Sequence, residues 1–126
     1  MNLRIFEEID IYGPVLRTHG LAKIDTGAFS SSIHRALAEA LELQEVKGNK
    51  AHIFSNAMGK QERKLVSARI RLGGIEKQII FSVSDRTTMT RMILIGRRDL
   101  LGFCIQVAPD EADPNNTLNI KKGDII

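Results

Sequence analysis

Residues 66–72 read Val-Ser-Ala-Arg-Ile-Arg-Leu, with Val66, Ala68, Ile70 and Leu72 at one parity and Ser67, Arg69 and Arg71 at the other. A period of two buries one face only in a β-strand, because a helix would scatter the same apolar residues round its circumference. The Gly73–Gly74 pair that follows suits a two-residue hairpin turn. Ile79, Phe81 and Val83 resume the alternation on the return. The rest of the chain is cut into short apolar segments by Gly13–Pro14, Gly20, Gly27, Gly48, Gly59, Gly96, Gly102, Pro109 and Pro114. Short strands between such breaks predict an all-β domain.

Residues 2–11 alternate loosely and read as a strand or edge ribbon, and residues 15–25 read as a second strand entering a glycine turn. Met92–Ile95 is a continuous apolar run, expected to be a strand buried on both faces, and Phe103–Val107 is a further short strand. Helix is scarce. Residues 34–43 space Ala36, Leu37, Ala40 and Leu41 helically, and residues 97–102 suit one short turn stopped by Gly102. A single domain is expected over 1–108, followed by a polar, Asn-rich tail over 109–126 that reads as loop, with Leu118 and Ile120 suiting one added strand.

Composition narrows the function classes. A chain of 126 residues with 43% hydrophobic and 26% charged residues can bury a core and is not disordered. No apolar run approaches the ~18 residues of a membrane span, and acidic residues at 7 and 8 argue against a secretory leader. Membrane association is not expected, and the cytoplasm is the default compartment. The net charge of +3 is spread along a chain without Trp, which does not suit a nucleic-acid binder. The single cysteine, Cys104, excludes an internal disulfide, and its Gly-Phe-Cys-Ile setting predicts a core thiol. His19, His34 and His52 stand 15 and 18 residues apart with no His-Glu-x-x-His run, so neither a metal nor another cofactor is expected, and His34 reads as a structural histidine. Ser30–Ser32, His34 and Asp25 hold the letters of a hydrolase triad, but no Gly-x-Ser-x-Gly elbow is present.

The segment that carries chemistry is Ala22-Lys23-Ile24-Asp25-Thr26-Gly27-Ala28. A strand delivers a carboxylate to its end, and a small turn follows whose N–H groups are free to point back at it. A carboxylate fixed in this way suits acid–base work. Alone, Asp-Thr-Gly serves equally as a simple chain reversal. Met92-Ile93-Leu94-Ile95-Gly96-Arg97-Arg98-Asp99-Leu100-Leu101 stands further along, an apolar strand running into glycine and a short turn.

Together these two segments resemble the retropepsin-like aspartic proteases, in which Asp-Thr-Gly-Ala, a flap hairpin and an Ile-hydrophobic-Gly-Arg-(Asn/Asp)-Leu-Leu stretch occur in that order. The likeness is closer to a bacterial group within this fold named ATP-dependent zinc proteases, often found with RimK-type ATP-grasp ligases. Ser31-Ser32-Ile33-His34 and Asp85-Arg86-Thr87-Thr88-Met89 match that group's further motifs. The resemblance spans roughly residues 15–108. It implies a closed six-stranded barrel with one or two short helices, and Asp25, Thr26 and Gly27 as the catalytic turn. It further implies a homodimer or larger homo-oligomer supplying the second aspartate, and a peptide or protein substrate. Substrate contacts would come from Ala28, Arg97 and the flap residues Ala57, Met58 and Gly59.

Two positions depart from the retroviral pattern. Phe29 stands where those members carry an aspartate that partners the arginine of Gly-Arg, and Lys23 replaces an apolar residue two before Asp25. A non-catalytic reading therefore stays open beside the peptidase: a peptide-binding or regulatory module working with an ATP-grasp ligase. So does a barrel in which Asp-Thr-Gly only turns the chain.

Overall fold

The computed structural model describes residues 2–46, 52–56, 59–85 and 91–107, with 52–56 and 59–62 described as backbone only. The segment predicted as tail lies outside the described residues, as do Ala57 and Met58.

In chain order the strands are β1 (Asn2–Leu3), β2 (Phe6–Tyr12), β3 (Arg17–Ile24), β4 (Ser31–His34), β5 (Gln44–Glu45), β6 (His52–Asn56), β7 (Gly59–Arg63), β8 (Leu65–Leu72), β9 (Ile75–Ser84), β10 (Ile93–Ile95) and β11 (Cys104–Ile105). One helix, α1 (Arg35–Ala40), follows β4, and a 3₁₀ turn (Arg97–Leu100) follows β10. Six strands pair in the order β2-β3-β10-β4-β9-β8, and β8 returns to β2 through Ile9↔Leu72 and Ile11↔Ile70. The sheet therefore closes on itself as a barrel, leaving its central strands without open edges.

The alternation read from the sequence is what fills this barrel. Val66, Ala68, Ile70 and Leu72 are all buried, with Arg69 and Arg71 outside. Gly73 and Gly74 take φ of +56° and +78°, both in the left-handed region a two-residue hairpin needs. On β9, Ile79 and Phe81 point inward. Beyond Phe81 the pattern reverses, with Ser82 and Ser84 buried and Val83 half-buried, where α1 also packs against the strand. Ile9 and Ile11 of β2, Ala22 and Ile24 of β3, Ile33 of β4, and Ile93 and Ile95 of β10 complete the interior. Each large aliphatic side chain so enclosed contributes about 1.5–3 kcal/mol relative to exposure.

Several local readings need correction. The predicted 34–43 helix runs only from Arg35 to Ala40. His34 caps it, its Nδ1 accepting the Ala36 N–H at 3.1 Å, and Glu42 at φ +52° turns the chain away toward β5. The strand expected over residues 2–11 is split at Arg4–Ile5 into β1 and β2. Met92 is 44% exposed and Leu94 half-buried, so β10 is not buried on both faces along its length. Cys104 is exposed, not a core thiol. In the two-residue strand β11 it faces out, while its neighbours Phe103 and Ile105 pack on the core.

Candidate active site

β3 and β10 lie side by side and parallel, with Ile24 opposite Ile95. Parallel neighbours finish at the same end of the barrel, so Asp25-Thr26-Gly27 and Gly96-Arg97-Arg98 meet there although 71 residues separate Thr26 from Arg97. Their backbones are laced together. Asp25 N–H donates to Ile95 O at 2.8 Å, Arg97 N–H to Ala28 O at 2.8 Å, and Arg98 N–H to Phe29 O at 3.0 Å. The Arg97 guanidinium donates through Nη1 to Thr26 O at 2.8 Å. Arg97 thus braces the turn through a main-chain carbonyl, which explains how it manages without the carboxylate that Phe29 replaces.

Within the turn, Gly27 N–H donates to Asp25 Oδ1 at 3.0 Å and Ala28 N–H to Asp25 O at 3.2 Å. A Cβ on residue 27 would stand 3.2 Å from Asp25 Oδ1, tighter than an ordinary contact, so glycine lets the amide close on the carboxylate. Asp25 is half-buried, and Thr26 and Gly27 are exposed. Among the described residues Asp25 Oδ2 has no hydrogen-bond partner. Among the described residues the carboxylate is therefore held through one oxygen, in a half-buried position beside an exposed turn.

Phe29 is 58% exposed on the same rim, with the Arg98 guanidinium 5.8 Å from its ring centroid. His34 lies the length of β10 away, its N–H donating to Met92 O. It therefore makes no triad with Asp25, and its ring is engaged at the start of α1. The three-serine run is divided by burial, with Ser31 and Ser32 buried and Ser30 half-buried. Gly59 lies in the β6–β7 hairpin at the place expected for the flap, paired with Asn56. A cleft of about 370 Å³ beside α1, lined by Arg35, Ala38, Leu43, Arg63, Val66 and Val83 among others, includes no residue of the Asp25 turn.

Among the described residues no three His, Cys, Asp or Glu side chains gather to hold a metal ion. No helix among the described residues is long and apolar enough to cross a membrane. Sequence reasoning missed one polar contact at this site, between Ser31 and Asp99, whose residues are 68 apart in the chain.

Comparison with known proteins agrees with this fold. Among curated proteins no sequence match is found. Solved structures share the fold, among them the following three. The Legionella pneumophila protein Lpg0085, of unknown function, is 19% identical with a TM-score of 0.57, covering 84% of this chain and 92% of that one. EIAV protease, complexed with the inhibitor HBY-793, is 19% identical with a TM-score of 0.59, covering 78% and 86%. Simian foamy virus protease is 18% identical with a TM-score of 0.55, covering 75% and 90%. The family model described as aspartyl protease matches residues 13–98, which take in both the Asp-Thr-Gly turn and Gly96-Arg97-Arg98. A match over more than half the sequence, on a barrel that sets these two turns against each other, makes this chain a member of the aspartyl protease family.

Proposed function

We propose that the chain is an aspartic peptidase that hydrolyses peptide bonds as a homodimer, each copy supplying one Asp25. The observation that supports this reading is the hold on a half-buried Asp25, whose Oδ1 accepts from Gly27 N–H in a turn whose Thr26 and Gly27 are exposed. One carboxylate is not enough for the chemistry. Two carboxyl groups a few Å apart share one proton, because two like charges at that distance repel strongly. The ionised member takes a proton from a water lying between them, and the water oxygen attacks the scissile carbonyl carbon. The neutral member donates its proton to the developing oxyanion. Collapse of the tetrahedral intermediate returns a proton to the leaving nitrogen and breaks the C–N bond, with no covalent enzyme intermediate. In this reading Thr26 and Gly27 shape the turn. Ala28, Arg97 and the hairpin residues Ala57, Met58 and Gly59 border the substrate.

The test is Asp25→Asn, which keeps the shape and removes the general base. Wild type incubated with a peptide library across pH should yield defined cleavage products, and the variant none while still binding the same peptides. Sedimentation equilibrium should find a dimer under the conditions of cleavage. A wild-type dimer that cuts no peptide at any pH would defeat the assignment and favour a peptide-docking module, of the kind that would serve an ATP-grasp ligase.

A further inference from the structure

Behind the Gly96 turn sits a buried polar relay that the hydrolytic chemistry does not use. Gly96 N–H donates to Ser31 Oγ at 3.0 Å, and Ser31 Oγ–H donates to Asp99 Oδ2 at 2.5 Å. Asp99 N–H closes the loop on Gly96 O at 3.1 Å. Ser31 is fully buried and Asp99 is 8% exposed. The neighbourhood holds the pair from outside. Ser82 Oγ reaches Ser31 O at 3.5 Å, Lys77 Nζ donates to Asp99 O, and Arg98 Nε lies 3.8 Å from Asp99 Oδ1.

A carboxylate taken out of water is costly unless it is hydrogen-bonded, and a barrel interior can be filled more cheaply by apolar side chains. Its place here follows from what it touches. Gly96 and Arg97 are the residues on which the Asp25 turn rests, through Asp25 N to Ile95 O, Arg97 N to Ala28 O and Arg97 Nη1 to Thr26 O. An apolar contact would leave the Gly96 turn free to slide. A directional pair of hydrogen bonds fixes both its position and its angle. We propose that Ser31 and Asp99 are positioning residues for Asp25: they lock the Gly96-Arg97 turn, and through it the direction of the Asp25 carboxylate. This rests on the peptidase reading for its consequence in catalysis, but the lock itself is independent of it.

The experiment compares Asp99→Ala, Ser31→Ala and Asp99→Asn with wild type by two readouts. The first needs no activity: the amide resonance of Gly27, whose N–H is bonded to Asp25 Oδ1, in ¹H–¹⁵N spectra. It should move in both alanine variants and return to its wild-type position in Asp99→Asn, whose side-chain oxygen still accepts from Ser31. The resonance of Ile70, inside the barrel on β8, should stay in place throughout. The second is peptide hydrolysis. A misaligned carboxylate lowers kcat by about tenfold to a hundredfold, while KM stays within about twofold and Asp99→Asn recovers most of the loss. If Asp99→Ala fails to fold, Ser31→Ala, which removes one oxygen, decides alone. Folded alanine variants with an unmoved Gly27 amide overturn the proposal, as does an equal loss in Asp99→Asn and Asp99→Ala. If wild type cleaves no peptide, the function reading has failed separately, and the Gly27 resonance still decides the lock.

Discussion

Replacing Gly96 by alanine isolates the contact on which the candidate site depends. Gly96 has φ −88° and ψ 171°, an extended conformation open to any residue, so alanine meets no conformational penalty there. The obstacle is space. A Cβ on residue 96 would stand 2.5 Å from Ser30 C, 2.6 Å from Ser30 O and 2.7 Å from Phe29 O, all backbone atoms that no side-chain rotation can clear. Relief to ordinary contact requires the 28–30 segment to retreat by roughly 0.7–0.9 Å. The bond from Arg97 N to Ala28 O, now 2.8 Å, would then exceed the range of a hydrogen bond, and that from Arg98 N to Phe29 O with it. Two lost hydrogen bonds at about 1 kcal/mol each, added to about 1–3 kcal/mol for overpacking, predict a destabilisation of about 3–5 kcal/mol. That is a large part of a typical domain's stability of about 5–15 kcal/mol. Gly20 in β3 is the control. Nothing lies within 4 Å of a Cβ built on it, so alanine there should be neutral or stabilising by up to about 1 kcal/mol. Urea unfolding followed by far-UV circular dichroism measures both, since the chain has no Trp to report by fluorescence. A Gly96→Ala variant within 1 kcal/mol of wild type would show that the two turns are not clamped as described.

Two further outcomes follow from features away from this clamp. His19 Nδ1 lies 2.5 Å from Asp10 Oδ1, with Glu8 3.7 Å from Nε2, and the hydrogen bond to Asp10 is the main reason its pKa lies above the ordinary histidine value. A raised folded pKa means the pairing stabilises fully below the unfolded value of about 6.5 and is lost as pH rises through the folded one. The urea midpoint should therefore decline over that window in wild type and be flatter in His19→Gln; equal slopes would contradict the pairing. Cys104, exposed on β11, should react with a thiol reagent in the native protein at a rate independent of denaturant below the unfolding transition; labelling that tracks unfolding would place it inside.

The parts of the fold legible in the sequence are those with a local cause. The parity of Val66–Leu72, the Gly73–Gly74 turn and the apolar run into Gly96 each state their geometry within a few residues. The exposure of Cys104 is hidden in the sequence for a related reason. In a strand of two residues parity decides everything, and apolar neighbours on both sides cannot say which way the middle one points. The length of α1 was set by Glu42, a left-handed residue that carries no glycine to announce it. The pairing of β2 with β8, which closes the barrel, and the contact of Ser31 with Asp99 are long-range. Nothing near Ser31 distinguishes it from Ser30 or Ser32, and its partner Asp99 lies 68 residues away in the chain.

The Asp-Thr-Gly turn was ambiguous in sequence for the same physical reason that it is informative in the fold. Aspartate followed by threonine and glycine makes an adequate chain reversal anywhere, and a reversal needs only its own hydrogen bonds. Here the turn receives more than a reversal requires. Its carbonyls at Thr26 and Ala28 are both taken by Arg97, the next carbonyl at Phe29 by Arg98, and one oxygen of Asp25 by Gly27. Such bracing leaves the backbone little freedom while the second oxygen of Asp25 has no partner among the described residues. A purely structural turn would more cheaply satisfy that oxygen within the chain. Rigid support at one oxygen of a carboxylate, with no partner for the other among the described residues, is the arrangement expected of a group whose remaining partner is a water, a substrate or the same residue of a second copy.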